Sequence, residues 1–218
     1  RNIDYERAKL IEKYPHKRKL NLFLTLKNSP VLNKYKFSYD KNVLTLFKGK
    51  NKLISVSSKD FQNYKLICNK LIELDESLLK PIFLLRNETF PFFDTTHSKQ
   101  IYNTISLINL NSIKDFENKI NSNIEFERFR SNFYIDGLNS WEERSWIDKI
   151  ITINNIKFKV HKHIARCSAI NLKPNTDKKT INLPFELKKL YNHIDMGVYL
   201  IPLEDGKINL GDNVALND

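Results

Sequence analysis

The sequence predicts a β-rich α+β fold built around a β-barrel. Short apolar runs recur along the chain between turn residues, which is typical of successive short strands, and only two stretches show the spacing of amphipathic helices. Many short strands with few helices favour a barrel. At 218 residues the chain can form one large core or two small ones, and we expect one compact unit or two closely packed halves.

The N-terminal part is predicted to contain strands followed by a helix. Residues 21–47 mix apolar runs with turn signals at 28–30 and 40–42, which predicts successive strands. From Ser58, which we expect to be the N-cap, apolar residues follow at helical spacing: Phe61, Tyr64, Ile67, Cys68, Leu71 and Ile72. Because free cysteine is among the residues most often buried, Cys68 is predicted to be structural.

The C-terminal part is predicted to be mostly strands. Residues 104–110 form a β-type run, and Ser112 is expected to open a helix that turns Ile113, Phe116 and Ile120 toward the core. Three turn signals then predict where extended segments end or reverse. Asp136–Gly137 closes the segment 126–138, Asn154–Asn155 lies in a hairpin, and Asp205–Gly206 lies in a second hairpin within 197–216.

Composition limits the cellular setting and the partners. Thirty-six Lys and Arg against 25 Asp and Glu leave a net charge of +11, which attracts nucleic acid, phosphorylated cofactors or acidic partners. An AT-rich genome would produce the same excess of lysine without selection for binding. We find no apolar run long enough for a membrane span and no secretory signal, and two distant cysteines favour a reducing compartment, so we expect a cytoplasmic protein.

A zinc site is the first chemistry to consider in the stretch 161–177, HKHIARCSAINLKPNTD. Four side chains of types that zinc accepts occur in or near it: His161, His163, Cys167 and His193. Strand alternation, however, places the first two histidines on the same face as Lys157 and Lys159, whose charges repel a dication. No CxxC or HxxxH spacing is present either, so zinc is disfavoured.

Cys167 has two open interpretations on local residues alone. Arg166 beside it and Lys162 upstream create positive surroundings that favour the thiolate, which is the form that acts as a nucleophile or a soft metal ligand. The alternative is an inert, buried cysteine at the end of a strand. Elsewhere, aromatic residues alternate with lysines over 34–41, as on a nucleic-acid stacking surface, but such alternation is more common on core strands.

The C-terminal half also carries a series of motifs in a fixed order. They are RFRSNFYIDG at 128–137, WEERSW at 141–146, VHKHIARCSAINLKPNTD at 160–177 and GVYLIPLEDGKINLGDNV at 197–214. This series resembles the MOSC family, named for the C-terminal domain of molybdenum cofactor sulfurases, and the upstream part resembles the N-terminal β half of its bacterial members. The resemblance implies a MOSC-type β-barrel over residues 101–218, packed with a smaller N-terminal β half over residues 1–100 and a few helices.

The resemblance further implies a molybdenum cofactor of the molybdopterin type. Its metal is bound by the cysteine of the R-C pair, here Cys167, which is then both metal ligand and catalytic residue. The residues expected to bind the cofactor are Arg130, Asn132, Lys162, Arg166 and Asn109. Arg130 and Arg166 suit the pterin phosphate because a guanidinium donates charge-assisted hydrogen bonds to it.

The function implied is oxo-transfer reduction of N-hydroxylated or related small molecules, with an electron-donor protein as partner. The alternative is a sulfur carrier served by a cysteine desulfurase, or a cofactor-binding module without turnover of its own. A basic barrel that binds nucleic acid comes third and is disfavoured, and no membrane partner is expected.

Two departures from the family pattern bear on the site. Relatives begin with a Y-P-[VI]-K segment whose lysine helps to hold the cofactor; this segment is absent, and we expect the sequence to begin inside a longer chain. In the family's x-P-[DE]-T turn, Lys173 and Asn175 replace acidic residues, whereas Thr176 is retained. These two replacements change the charge beside the expected metal.

Overall fold

The computed structural model describes most of the chain: residues 4–14, 22–60, 62–78, 80–86 and 104–217. The chain divides into two compact units, one formed by 1–97 with 174–178 and the other by 98–173 with 179–218. The described residues contain four α-helices, a three-stranded sheet, and a six-stranded sheet that curls into a half barrel. The predicted β-rich α+β class is confirmed, and the expected domain boundary at residue 100 stays a prediction.

The first unit contains an antiparallel sheet and two helices. Strands β1 (Lys36–Asp40), β2 (Val43–Lys48) and β3 (Asn51–Ser57) pair in chain order, and helices α1 (Tyr5–Lys13) and α2 (Gln62–Leu74) flank them in sequence. The predicted turn between β1 and β2 is present: Lys41 and Asn42 have φ of 43° and 65°, the geometry of a two-residue hairpin. The unit's core includes Leu46, Ile67 and Leu71.

The predicted strands over 21–47 are only partly correct. Residues Pro30–Lys34 form a 3₁₀ turn rather than a strand. Pro30 explains the difference because its ring fixes a helical φ and it has no N–H to donate to a sheet. The first strand of the unit therefore begins at Lys36.

Helix α2 has the predicted buried face but a different start. Ser58 is not its N-cap, because the Ser58 N–H donates to the carbonyl of Asn42 (2.7 Å) and so continues the hairpin, while Asp60 Oδ1 accepts from the N–H of Gln62 (2.9 Å). Cys68 is 7% exposed and lies on the buried face, as predicted. Phe61 lies outside the described residues.

The second unit is built on the six-stranded sheet. Its strands are β4 (Ile105–Asn109), β5 (Phe133–Ile135), β6 (Ile150–Ile153), β7 (Ile156–Ala165), β8 (Asp195–Pro202) and β9 (Val214–Asn217). Their order is β5-β4-β8-β7-β6-β9, with β4 and β5 parallel and the other neighbours antiparallel. The predicted hairpin at Asn154–Asn155 joins β6 to β7, with Asn154 at φ 55°.

Two hydrophobic clusters stabilise this unit. One lies among the strands and includes Ile151, Phe158 and Leu200. The other joins helices α3 (Leu110–Ile120) and α4 (Leu183–Tyr191) to the sheet and includes Ile113, Phe116, Phe129, Ile170 and Met196. The second cluster matters for function because Phe129 and Ile170 belong to the two motif segments that carry the candidate site.

Three details of the second unit differ from the predictions. Helix α3 begins at Leu110 and is capped by Asn109, not opened by Ser112, whose hydroxyl instead donates to the buried Glu143 carboxylate. Residues Phe126–Phe129 form a 3₁₀ turn, not an extended segment. This turn buries Arg128 and Phe129 side by side, whereas a strand would direct them to opposite faces.

The predicted Asp205–Gly206 hairpin is wrong, because β8 and β9 do not pair. Strand β9 instead pairs with β6, through Ile153 and Val214 among others. A Cβ at Gly206 would meet the end of the Ile156 side chain, which shows how closely the loop packs there. In the part of the chain that the structure describes, no helix combines the length and apolarity that a membrane crossing needs.

Candidate functional site

Cys167 follows the end of β7 and begins a short turn. The residues Ser168–Asn171 form a 3₁₀ turn with Cys167 at its N-cap, and the Cys167 carbonyl accepts from the N–H of Ile170 at 3.1 Å. We term residues 167–171 the cysteine turn. The Cys167 side chain is exposed, in contrast to Cys68. The thiol is therefore accessible to a ligand or reagent, and the interpretation of Cys167 as an inert core residue is wrong.

The strand that leads to this turn is irregular near its end. The predicted alternation holds in its first half, where Ile156, Phe158 and Val160 are buried and the lysines between them are exposed. The pairing with β8 then shifts register between Val160 and Lys162 and again between His163 and Ala165. Such bulges bend a strand and redirect its side chains, which is why 161–163 are all half-buried instead of alternating.

Arg166 is buried and bonds to backbone carbonyls. Its Nε and Nη2 donate to the carbonyl of Met196 at 2.9 and 2.6 Å, and its Nη1 donates to the carbonyl of Phe129 at 2.9 Å. Burial lowers the pKa of Arg166 to about 10. The guanidinium thus bonds to carbonyls of two different segments. Arg166 contributes a buried positive charge beside Cys167 and links β8 to residues 128–130, which we term the RFR segment.

Arg130 lies on the other side of the cysteine turn. It adopts a left-handed backbone (φ 49°) that ends the preceding 3₁₀ turn, and its Nη1 donates a long hydrogen bond of 3.4 Å to the carbonyl of Ala169. Desolvation of the guanidinium lowers the pKa of Arg130, although the residue as a whole is exposed, and the nearby Cys167 opposes this shift. Arg130 is thus close enough to Cys167 for an electrostatic interaction, although the hydrogen bond from its side chain to Ala169 is weak.

Arg128 is a site-forming residue that the sequence interpretation missed. It is 4% exposed, and its Nη1 donates to the carbonyl of Asn171 at 3.0 Å. Its Nη2 donates to Thr180 Oγ1 at 3.0 Å, and its Nε forms an ion pair with Glu125 Oε2 at 2.6 Å. The only signal in the sequence for a role of Arg128 was its place in the RFR segment, two residues before Arg130. Nothing local distinguishes the two arginines.

The other predicted cofactor-binding residues occupy different settings. Asn132 is exposed, and its Oδ1 accepts from the N–H and hydroxyl of Ser106 at 2.9 and 2.8 Å. Lys162 is half-buried on β7 opposite Tyr199. Asn109 is fully buried and caps α3, with its Nδ2 donating to the carbonyl of Asn139 at 2.7 Å, so its side chain is already used in the fold. Cofactor binding by these residues stays a prediction.

The histidines considered for zinc make local contacts. His163 Nε2 lies 3.1 Å from the carbonyl oxygen of Arg144, and His193 Nδ1 accepts from the N–H of Asp195 at 3.1 Å. Burial lowers the pKa of His193. Over the described ranges, no group of three or more His, Cys, Asp and Glu side chains is close enough to hold a metal ion.

Lys173, one of the two departures from the family turn, contributes to the Arg128 network. Its Nζ lies 3.9 Å from Glu125 Oε1, so the carboxylate that pairs with Arg128 also faces this lysine. The two cations lower the pKa of Glu125 against the opposing effect of its burial. Asn175, the second departure, has φ 60°, a left-handed conformation that asparagine tolerates well.

The surroundings of Cys167 fit an anionic group that carries a soft metal. Among the described residues, no carboxylate forms an ion pair with Arg130 or Arg166, so their charges are available to an anion. The buried Ser131 Oγ, between Arg130 and Asn132 in sequence, has no hydrogen-bond partner in the described structure. A buried unpaired hydroxyl costs about 1–3 kcal/mol.

One of three comparisons with known proteins agrees with the motif series. A family model described as the MOSC domain matches residues 94–215. A search of curated proteins found no significant match. Among solved structures, the crystal structure of YiiM from Geobacillus stearothermophilus is similar over 52% of this chain and 54% of that chain, with 18% identity and a TM-score of 0.42.

The chain thus spans about half the length of YiiM. The family model, by contrast, covers more than half of this chain and includes the RFR segment, the cysteine turn and the closing strands. The chain therefore belongs to the MOSC domain family, whose members are associated with the molybdenum cofactor.

Proposed function

We propose that this chain binds the molybdenum cofactor through Cys167 and reduces N-hydroxylated or related small molecules by oxo transfer. The observation that carries the proposal is the exposed thiol beside two guanidinium groups that, among the described residues, no carboxylate neutralises. A thiolate is a soft ligand suited to such a metal, and positive surroundings favour an anionic cofactor. When bound, the cofactor supplies the redox chemistry, and the protein supplies binding and orientation.

The chain's own residues divide these tasks. Cys167 Sγ would bind the metal, and Arg130, whose side chain makes one long hydrogen bond within the described structure, would donate to the phosphate of the cofactor. Arg166 keeps its carbonyl contacts and contributes a buried positive charge next to Cys167 in the chain. The reaction breaks an N–O bond and releases the oxygen as water, with two electrons from a donor protein and two protons from solvent.

A sulfur carrier is the second candidate, and the exposure of Cys167 supports it as well. A carrier needs an accessible thiolate that can attack the persulfide of a cysteine desulfurase and later release the sulfur. The same exposed thiol serves both candidates. The two candidates therefore differ in whether the chain turns over a substrate, not in which residue acts.

Metal analysis of protein made in a cofactor-competent host tests the proposal. The parental protein is expected to retain about one molybdenum per chain and to reduce a model amidoxime with a reduced viologen dye as donor. Cys167→Ser should lose activity and should retain at least about tenfold less molybdenum than the parental protein. The reason is that a serine hydroxyl is a harder and weaker ligand. Arg130→Ala should retain about tenfold less cofactor than Lys157→Ala, its matched control on an exposed position of β7.

Three outcomes separate the candidates. Molybdenum without amidoxime reduction, together with sulfur uptake on Cys167 from a cysteine desulfurase, would support the carrier instead of the reductase. Absence of molybdenum, together with salt-dependent binding of nucleic acid, would support the basic barrel. Equal cofactor retention in the Arg130→Ala and Lys157→Ala proteins would remove Arg130 from the binding site.

A further inference from the structure

Three arginines link the RFR segment to the cysteine turn through backbone carbonyls. Arg166 donates to the carbonyl of Phe129 at 2.9 Å, Arg130 to that of Ala169 at 3.4 Å, and Arg128 to that of Asn171 at 3.0 Å. The segment 128–130 and the segment 166–171 are thus joined at both ends. These bonds help to set the position of the thiol relative to Arg130, because in the described structure the pairing of β7 with β8 ends at Ala165, before the cysteine turn.

The two arginines of the RFR segment are suited to different tasks. Arg128 is buried, its charge is neutralised by Glu125 at 2.6 Å, and its three nitrogens reach three different residues. Arg130 is exposed, makes one long bond and has no ion pair within the described structure. A neutralised, buried guanidinium changes the field at Cys167 little, whereas its fork geometry can hold chain segments in place.

Asn171 bonds both to Arg128 and to the following helix, α4. Its carbonyl accepts from both Arg128 and the N–H of Thr180 (3.1 Å), and its side-chain Oδ1 accepts from the N–H of Leu183 at 3.0 Å, in the first turn of α4. The last residue of the cysteine turn is therefore fixed to the helix packed behind it. Loss of the Arg128 bond would release this end of the turn from residues 128–130, while its bonds to Thr180 and Leu183 remain.

We propose that Arg128 is a positioning residue for Cys167: it fixes the end of the cysteine turn and so holds the thiol beside Arg130. The ligand that benefits is the anionic cofactor of the proposed function, on which the biological meaning of this inference rests. The positioning itself is a property of the chain without any ligand. It can therefore be tested on the metal-free protein.

The test compares two thiol reagents of similar size and opposite charge, an anionic and a cationic methanethiosulfonate. Peptide mass spectrometry follows their rates at Cys167, and the ratio of the anionic to the cationic rate reports the positive field at the sulfur. Arg130→Gln should lower the ratio about fivefold, and Arg130→Lys should preserve it, because only the charge matters there. Arg128→Lys should lower the ratio about fivefold although the charge is kept, because an ammonium cannot span the three contacts of Arg128.

Two further variants make the test decisive. Thr180→Val removes one Arg128 contact and keeps the Thr180 N–H bond to Asn171, so it should lower the ratio about twofold in a folded protein. Ile151→Val, in the strand core and outside the arginine contacts, should lower the melting temperature and leave the ratio unchanged. A folded Arg128→Lys protein with the parental ratio would overturn the proposal, and if that variant does not fold, an unchanged ratio in Thr180→Val would do so.

The outcome is independent of the proposed function. If the parental protein binds no molybdenum but Arg128→Lys still lowers the ratio, the function fails and the positioning role stands. If molybdenum binds and the ratio is insensitive to Arg128, the function stands and the positioning role fails.

Discussion

The two cysteines of this chain share one chemistry and lie in opposite surroundings. Cys68 lies on the buried face of α2, 7% exposed, and burial raises the pKa of its thiol. Cys167 is exposed at the start of a turn held by arginine side chains. The contrast teaches that the environment, not the residue type, separates a packing cysteine from a candidate ligand.

Alkylation rates should show the largest difference. At about pH 8 a small neutral reagent is expected to modify Cys167 at least about 100-fold faster than Cys68, because thiolate formation at Cys68 is disfavoured and access requires local unfolding. Peptide mass spectrometry of a time course gives both rates in one sample. Rates within a factor of about three would abolish the contrast.

Serine replacement should affect stability at one position and not at the other. Cys68→Ser places a hydroxyl among apolar side chains and should lower the free energy of unfolding by about 1–3 kcal/mol. Cys167→Ser changes an exposed side chain and should alter it by less than about 0.5 kcal/mol. Urea denaturation of both variants measures these values, and a larger loss in Cys167→Ser would show that its thiol is needed for packing.

The pH dependence of stability should show the burial of Cys68 as a third, smaller effect. Above the ordinary thiol pKa of 9.0, the unfolded chain releases the Cys68 proton while the folded chain retains it. The stability that the protonated Cys68 thiol adds to the folded state is therefore fully present below that pH. It is lost as the pH rises toward the raised pKa of the folded state. Between about pH 8 and pH 10, Cys68→Ala should flatten the decline in unfolding free energy by up to about 1.4 kcal/mol per pH unit.

Ile151→Val is the control for this measurement, since it changes a core side chain that does not titrate. It should retain the parental slope, because it removes no titrating group from the parental protein. Equal slopes in the Cys68→Ala and parental proteins would mean that the Cys68 thiol ionises in the folded state as it does in the unfolded chain.

The elements that sequence predicted well are those in which local periodicity and packing agree. Cys68 lies on the buried face of α2, and Ile156, Phe158 and Val160 are buried along β7. The predictions failed where a distant partner decided the outcome. Asp205–Gly206 is a strong hairpin signal, yet β9 pairs with β6, a strand some sixty residues earlier in the chain. Ser58 and Ser112 are of a residue type that is typical of a helix start. The N–H of Ser58 instead donates to the backbone of a hairpin, and the hydroxyl of Ser112 donates to a buried carboxylate.

The sequence by itself determined the α+β class, the order of the motifs and the choice of Cys167 as the candidate thiol, because these depend on residue type, spacing and order along the chain. Only the tertiary structure decided what the arginines do. Arg166, whose expected role in binding a phosphate stays a prediction, bonds to the carbonyls of Met196 and Phe129, and Arg128 bonds to that of Asn171. Their acceptors are backbone carbonyls, which every residue possesses, so no sequence pattern can identify them before the fold brings the segments together.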